Sequence, residues 1–268
     1  MRIGIIGGSG VNFVGNIEAA RQTQQETPFG PVAAMLGRVA GREVVFVQRH
    51  GANHPVPPHR INHHANIAAL RALGVERCLG ICAVGSLRPD LQPGSRAVLS
   101  GFLDFCRSRV WTFYDSHPQG VVHTDFTEPY CPDLRRLLAT GLDAPSSPAS
   151  CVYVGVDGPR YETPSEIAMF SSLGGDVIGM TGVPEAILAR EAGICYAGVA
   201  VVANLAAGLS PTPIAHEEVL RAMDGAAGDV WALIAEVVQA VKPERDCACG
   251  RNWELWEDAR SRAERGER

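Results

Sequence analysis

Seven short apolar runs punctuate this chain, and patterns of helical period follow three of them. That alternation constrains the fold more than any other feature. RIGIIGG, REVVFVQRHG, RCLGICAVGS, SRAVLSGFLDF, CVYVGVDG, DVIGMTG and CYAGVAVVANLAAG are apolar almost throughout, as strands buried on both faces are. HHANIAALRALG, PSEIAMFSSLG and PEAILAREAG read as helices, each ending near a glycine. The pattern predicts an α/β fold with a mixed, mostly parallel central sheet flanked by helices. Residues 105–130, polar and aromatic, and 205–215, small and proline-rich, fit neither element type and read as functional loops. The expected layout is one domain over residues 1–243 and a charged tail of helical pattern over 244–268, with Trp253 and Trp256 on one face of it.

Charge and composition narrow the partners. Across 268 residues, 29 acidic side chains outnumber 24 basic ones, for a net charge of −5. No basic stripe exists to displace the counterions of a nucleic acid, and a membrane surface is equally disfavoured. The first residues read as a core strand and not as an export signal, and no run approaches the roughly 18 apolar residues of a membrane helix. A cytoplasmic protein is expected. Six of the eight cysteines (Cys78, Cys82, Cys106, Cys131, Cys151 and Cys195) are scattered singly and read as buried thiols. Cys247 and Cys249 form a Cys-x-Cys pair, whose spacing is narrow for zinc and which lacks further ligands nearby in sequence. Buried thiols, weak metal binding and a local disulfide all stay open for this pair, and no metal is expected at the working site.

Several strand ends carry residues suited to an anion. GIIGGSG fails the dinucleotide fingerprint, because the last required glycine is Phe13. What remains is a tight turn with exposed N–H groups and the Ser9 hydroxyl, suited either to a free phosphate or to a plain strand end. Arg49 can fork two donors onto a phosphate, with His50 beside it. Cys82–Ala83 ends another strand in small residues, and Met180–Thr181 a further one before a helix that starts near Pro184. Such groups would line the carboxyl edge of one sheet, where open α/β folds bind ligands. Tyr161 can stack on a flat ring. Glu162 reads either as a ligand of that ring or as a helix-start acid. The last apolar run ends on Asn204, followed by Ala206, Ala207 and Gly208, as if something flat and polar lay against it.

GIIGGSG, RHG, INHHANIAAL, AVGSL, HTDFTEPYCP, GPRYET, GMTGVPEAILAREAGICYA and the strand ending at Asn204 occur in this order. Together they resemble the trimeric purine nucleoside phosphorylase and methylthioadenosine phosphorylase family, over residues 3 to 240. The resemblance implies a single-domain phosphorylase-type fold, a homotrimer, and cleavage of a purine nucleoside by phosphate without cofactor or metal. By resemblance, phosphate is held by Ser9, Arg49, His50, the backbone of Cys82 and Ala83, and Thr181. Met180 packs under the sugar, Tyr161 lies beside base and sugar, and His123 reaches a neighbouring copy's site. Relatives often carry Thr at the position of Cys82, so contact there falls to the backbone.

Family members acting on 6-amino purines carry Asp at the position of Asn204 and again two residues on. Here Asn204 and Ala206 stand instead. An amide can donate to a 6-oxo group while its carbonyl accepts from a protonated N7. Glu162 can accept from the N1–H that hypoxanthine and guanine carry and adenine lacks. Sites that read a donor or acceptor in this way discriminate by roughly 10⁴–10⁵-fold. Asn204 and Glu162 are therefore the expected catalytic pair for a 6-oxopurine nucleoside such as inosine or guanosine. His216 resembles the residue that meets a 5′-hydroxyl, and relatives that take a methylthio group put an apolar residue there. The alternative is an S-methyl-5′-thioinosine phosphorylase with His216 as a helix-start residue. A nucleoside hydrolase, a purine sensor and a nicotinamide oxidoreductase each lack support: no acidic cation cluster, an unneeded anion set, and the wrong glycine spacing.

Overall fold

The sheet is organised around its longest strand, Val75–Ser86 (β5). On one edge, β5 pairs in parallel with Arg2–Gly7 (β1) over its first half and antiparallel with Val177–Gly179 (β8) at its end. On the other edge it runs parallel to Cys195–Leu205 (β9). Beyond β1 lie Arg42–Gln48 (β4), Val32–Val39 (β3) and Glu18–Gln25 (β2). Beyond β8 lie Cys151–Gly155 (β7) and Arg96–Asp104 (β6), and β6 pairs antiparallel with β9. Strands β5, β8, β7, β6 and β9 thus close into a ring, with β1 to β4 as an arm. These features come from a computed structural model, which describes residues 1–8, 13–51, 55–107, 111–115, 122–142, 150–210, 212–251 and 253.

The expected mixed sheet is present, with parallel pairings β1–β4, β1–β5, β5–β9, β6–β7 and β7–β8. Alternation along the strands divides the core between two faces. Ile3 and Ile5 of β1 and Val44 and Phe46 of β4 point to one side, with Val199 and Val201 of β9. Ile6, Val45, Val47, Ala200 and Val202 point to the other. The first face is covered by Pro132–Gly141 (α2) and His216–Ala240 (α5), through Leu138, Val230 and Val237. The second is covered by His63–Ala72 (α1) and Gly182–Glu191 (α4), through Leu70, Ala186 and Leu188. Pro164–Ser172 (α3) starts on a capping box between Thr163 and Glu166.

Strands β2 and β3 and helix α2 went unmarked in the sequence. β2 (EAARQTQQ) is a polar, exposed edge strand with no apolar alternation to announce it; antiparallel pairing with β3 holds it in place. Of the expected tail, 244–251 and Trp253 are described. Trp253 takes Arg71 over its ring at 4.7 Å, a cation–π contact that ties the segment to α1, while Trp256 lies outside the described residues. Among the described residues no helix is long and apolar enough to cross a membrane.

Candidate active site

A cavity of about 530 Å³ opens where β4, β5, β8 and β9 end or bend. Its lining includes Arg49 and His50 after β4, Ala83 in β5, Met180 and Thr181 after β8, and Asn204 and Ala206 on β9. Tyr161 and Glu162 come from the loop before α3, and His216 from the first turn of α5. The expectation that these strand ends share one carboxyl edge needs correction. Strand β8 runs antiparallel to β5, with Ile178 opposite Gly85, so its end turns back alongside β5. Met180 and Thr181 reach the cavity from the opposite direction to Asn204, and the site lies between converging strands rather than along a rim.

Arg49 is almost wholly buried, and its geometry differs from a fork aimed at a ligand. Nε and Nη2 donate to the two Glu185 carboxylate oxygens at 2.6 and 2.7 Å, and Nη1 donates to the Ile81 carbonyl at 2.7 Å. Tyr196 Oη donates to the same carboxylate at 2.7 Å, and His63 Nδ1 lies 3.9 Å from it. Burial alone would push the guanidinium pKa down, but Glu185 outweighs it and holds Arg49 above its ordinary value. Nη2 also reaches Cys82 Sγ at 4.0 Å, so four of its five N–H groups are engaged, leaving one on Nη1 for a ligand, and the pair is close to neutral as a unit. The turn after β1 is shaped around this arginine: a Cβ at Gly8 would run into Nη1.

The neighbouring donors are partly committed as well. His50 Nδ1 sits 2.8 Å from the Val56 carbonyl. The backbone N–H groups of Thr181 and Gly182, at the start of α4, both reach the Tyr153 hydroxyl at 3.2 Å. Cys82, expected to offer only its backbone, keeps its side chain out of the cavity. Alternation along β5 turns its side chain behind the cavity wall, where Sγ lies 4.0 Å from Arg49 Nη2 and touches the Thr181 hydroxyl. Burial pushes its thiol up to about 11, so it stays neutral, and Ala83 faces the cavity instead.

At the other end of the cavity the backbone aims Asn204. Val84 pairs with Val202 but Gly85 pairs with Asn204, leaving Ala203 without a partner. This is a β-bulge, which re-aims the side chain that follows it. Asn204 Nδ2 donates to the Leu205 carbonyl at 2.8 Å, so one amide N–H and the side-chain carbonyl remain for a ligand. Ala206 continues the ladder to the Ser86 carbonyl at 2.9 Å and leaves the wall flat. Burial raises the Glu162 carboxyl above its ordinary value. Tyr161 is partly exposed at the mouth. Met180 packs over Gly158, at positive φ, where a Cβ would strike its sulfur.

Ser9 lies outside the described residues. His123 is exposed and does not line the cavity of its own chain. Glu185 and Tyr196 anchor the arginine, yet neither stood out in the sequence. The available signal was an acid three residues into the apolar helix GVPEAILA, since a charge there must find a buried partner. Cys131 and Cys195, expected to be isolated thiols, lie beside Cys247 and Cys249.

Fold and site together define an α/β enzyme that can hold an anion beside a flat, polar-edged ligand. The chain belongs to the phosphorylase superfamily, which it matches over residues 2–239. It is 46% identical to a probable 6-oxopurine nucleoside phosphorylase of Moorella thermoacetica, over 93% of this chain and 96% of that one. It is 43% identical to a probable S-methyl-5′-thioinosine phosphorylase of Methanothermobacter thermautotrophicus, over 92% of this chain and 87% of that one. The methylthioadenosine phosphorylase of Schistosoma mansoni, solved with adenine, superposes with a TM-score of 0.88 at 30% identity, covering 97% and 98% of the two chains.

Proposed function

We propose that this protein is a 6-oxopurine nucleoside phosphorylase, which converts inosine, guanosine or their deoxy forms and phosphate to free base and pentose 1-phosphate. The observation that carries the reading is the pairing of Asn204 with Glu162 on the wall of one cavity, with Ala206 where a second carboxylate would suit a 6-amino purine. Asn204 keeps one N–H for O6 and a carbonyl for a protonated N7, and Glu162 accepts from N1–H. As the glycosidic bond lengthens, positive charge grows on the sugar and negative charge on the purine, which Asn204 stabilises through O6 and N7. Phosphate attacks the anomeric carbon from the opposite face. Its cradle is formed by the remaining Arg49 N–H group, His50, Thr181, the Ala83 backbone and Ser9. Because Glu185 offsets the arginine charge, directed hydrogen bonds carry more of the anion affinity than net charge does. Met180 supports the sugar and Tyr161 covers base and sugar. Phosphate is a co-substrate, and neither cofactor nor metal takes part.

His216 decides between the two named activities among the relatives. At the start of α5 and on the cavity wall, it can meet a 5′-hydroxyl, which favours inosine over 5′-methylthioinosine. The same reading includes a homotrimer in which His123 completes a neighbouring copy's site, a role in purine salvage, and a cytoplasmic location. The test is phosphate-dependent hypoxanthine release, comparing kcat/KM for inosine and 5′-methylthioinosine in one assay. A preference for inosine supports His216 as a hydroxyl partner. A preference for methylthioinosine reduces it to a helix-start residue and moves the enzyme to methylthio-nucleoside recycling. Cleavage of both without phosphate overturns the phosphorylase reading.

A further inference from the structure

Far from the cavity, the Cys247–Cys249 pair converges with Cys131 and Cys195, which are remote from it in sequence. The Sγ atoms of Cys131, Cys195, Cys247 and Cys249 all lie within 4.8 Å of one another. Cys247 Sγ is 3.7 Å from Cys131 Sγ and 3.4 Å from Cys195 Sγ. Four sulfurs about 2.3 Å from a tetrahedral zinc ion sit about 3.8 Å apart, so the cluster already has nearly the dimensions of such a site. All four are free thiols, three of them buried and Cys247 partly so. The chemistry of the set narrows the occupant, because four thiolates in tetrahedral array select zinc over the hard cations that oxygen ligands hold.

The surroundings are built to bring the Cys-x-Cys segment to this place. Cys131 is the N-cap of α2, and its N–H donates to the Tyr196 carbonyl at 2.7 Å, fixing it beside the start of β9. Arg77 of β5 donates to the Pro243 and Glu244 carbonyls, at 3.1 Å each. Arg245 donates to the Gly193 carbonyl at 2.9 Å and to Glu76 at 3.0 Å. Its guanidinium is near enough to Cys195 and Cys247 to feel their charge, so it opposes the net negative charge of a zinc tetrathiolate.

We propose that Cys131, Cys195, Cys247 and Cys249 form a structural tetrathiolate zinc site that clamps the segment after α5 to the amino end of β9. Cys195 opens β9 and Asn204 lies nine residues further along it, about 30 Å away at strand rise. The ion therefore takes no part in catalysis. All four coordination positions are filled by protein, as in structural rather than catalytic zinc sites. The clamp closes loops of 116 residues between Cys131 and Cys247 and of 52 between Cys195 and Cys247. Ion binding in such a site is folding free energy.

The test begins with the full-length protein purified without chelators. Elemental analysis should find about one zinc per chain, released on titration with an organomercurial thiol reagent. Cobalt(II) substitution should give a thiolate-to-cobalt charge-transfer band and the intense visible bands of tetrahedral cobalt. Cys247→Ser should lose the metal and lower Tm with kcat/KM unchanged, whereas Cys106→Ser, outside the cluster, should keep it. Absence of stoichiometric metal overturns the proposal. So does a denatured thiol titration that finds these four sulfurs oxidised to two disulfides, and so does iron in place of zinc. If Cys247→Ser does not fold, the metal content, cobalt spectrum and thiol titration of the unaltered protein still decide.

Discussion

The two ends of β9 present the same strand to two different kinds of chemistry. At its start, Cys195 is locked among three other sulfurs and a segment from beyond α5. At its far end the ladder to β5 is broken by a bulge at Ala203, and Asn204 faces a cavity with part of its amide uncommitted. Groups that satisfy one another stabilise a fold, whereas groups left partly unsatisfied in a water-poor cavity are available to a ligand. The middle of the strand, fully buried from Tyr196 to Val202, keeps the two ends in fixed relation.

The sharpest challenge to this division is Glu185, which lies behind the cavity yet is as fully satisfied as anything in the core. Glu185→Ala leaves the buried Arg49 charge unpaired and should cost about 3–5 kcal/mol, read by denaturant unfolding, with activity lost as well. A stability change no larger than that of a surface substitution would show that Arg49 readily re-pairs. Asn204→Ala should leave unfolding nearly unchanged. Loss of one preorganised donor costs about 2.7–4 kcal/mol in the barrier, so kcat should fall at least about a hundredfold. Asn204→Asp should relax the preference toward adenosine, and unchanged inosine specificity would refute the role given to that amide.

Smaller effects sharpen the cavity end. His216→Leu should move the ratio of kcat/KM for inosine over 5′-methylthioinosine by about tenfold toward the thioether, since such pocket changes are worth about 1–3 kcal/mol. Glu162 should show in the pH profile. Its carboxylate is the form that accepts from N1–H, and burial raises its pKa above the ordinary 4.5. kcat/KM should therefore fall as pH drops through that raised value, on a limb that Glu162→Gln removes. The same shift acts on stability with the opposite sense: protonated Glu162 favours the folded state below the ordinary value, and that contribution is lost as pH rises through the raised one.

Much of the cavity was legible in the sequence because its residues sit where local patterns change. Arg49, Asn204 and Thr181 each end an apolar run, and Tyr161 and Glu162 precede a proline-started helix. Strand-end position is a local property, and spacing reveals it. The partners of those residues were hidden. Nothing near Arg49 in sequence points to Glu185, which is 136 residues away, and Tyr196 sits within an apolar run where it reads as core.

The sequence by itself determined the layered α/β fold, the cavity residues at the strand ends, and the amide and carboxylate that select a purine edge, because hydrophobic period and turn chemistry act over a few residues. Only the tertiary structure decided that β8 runs back against β5, that the Arg49 fork is turned onto Glu185, and that a bulge aims Asn204. It alone brought Cys131 and Cys195 to the Cys247–Cys249 pair. Each of these depends on which distant segments meet and in what direction, and strand pairing and long-range burial fix that without leaving a local period to read.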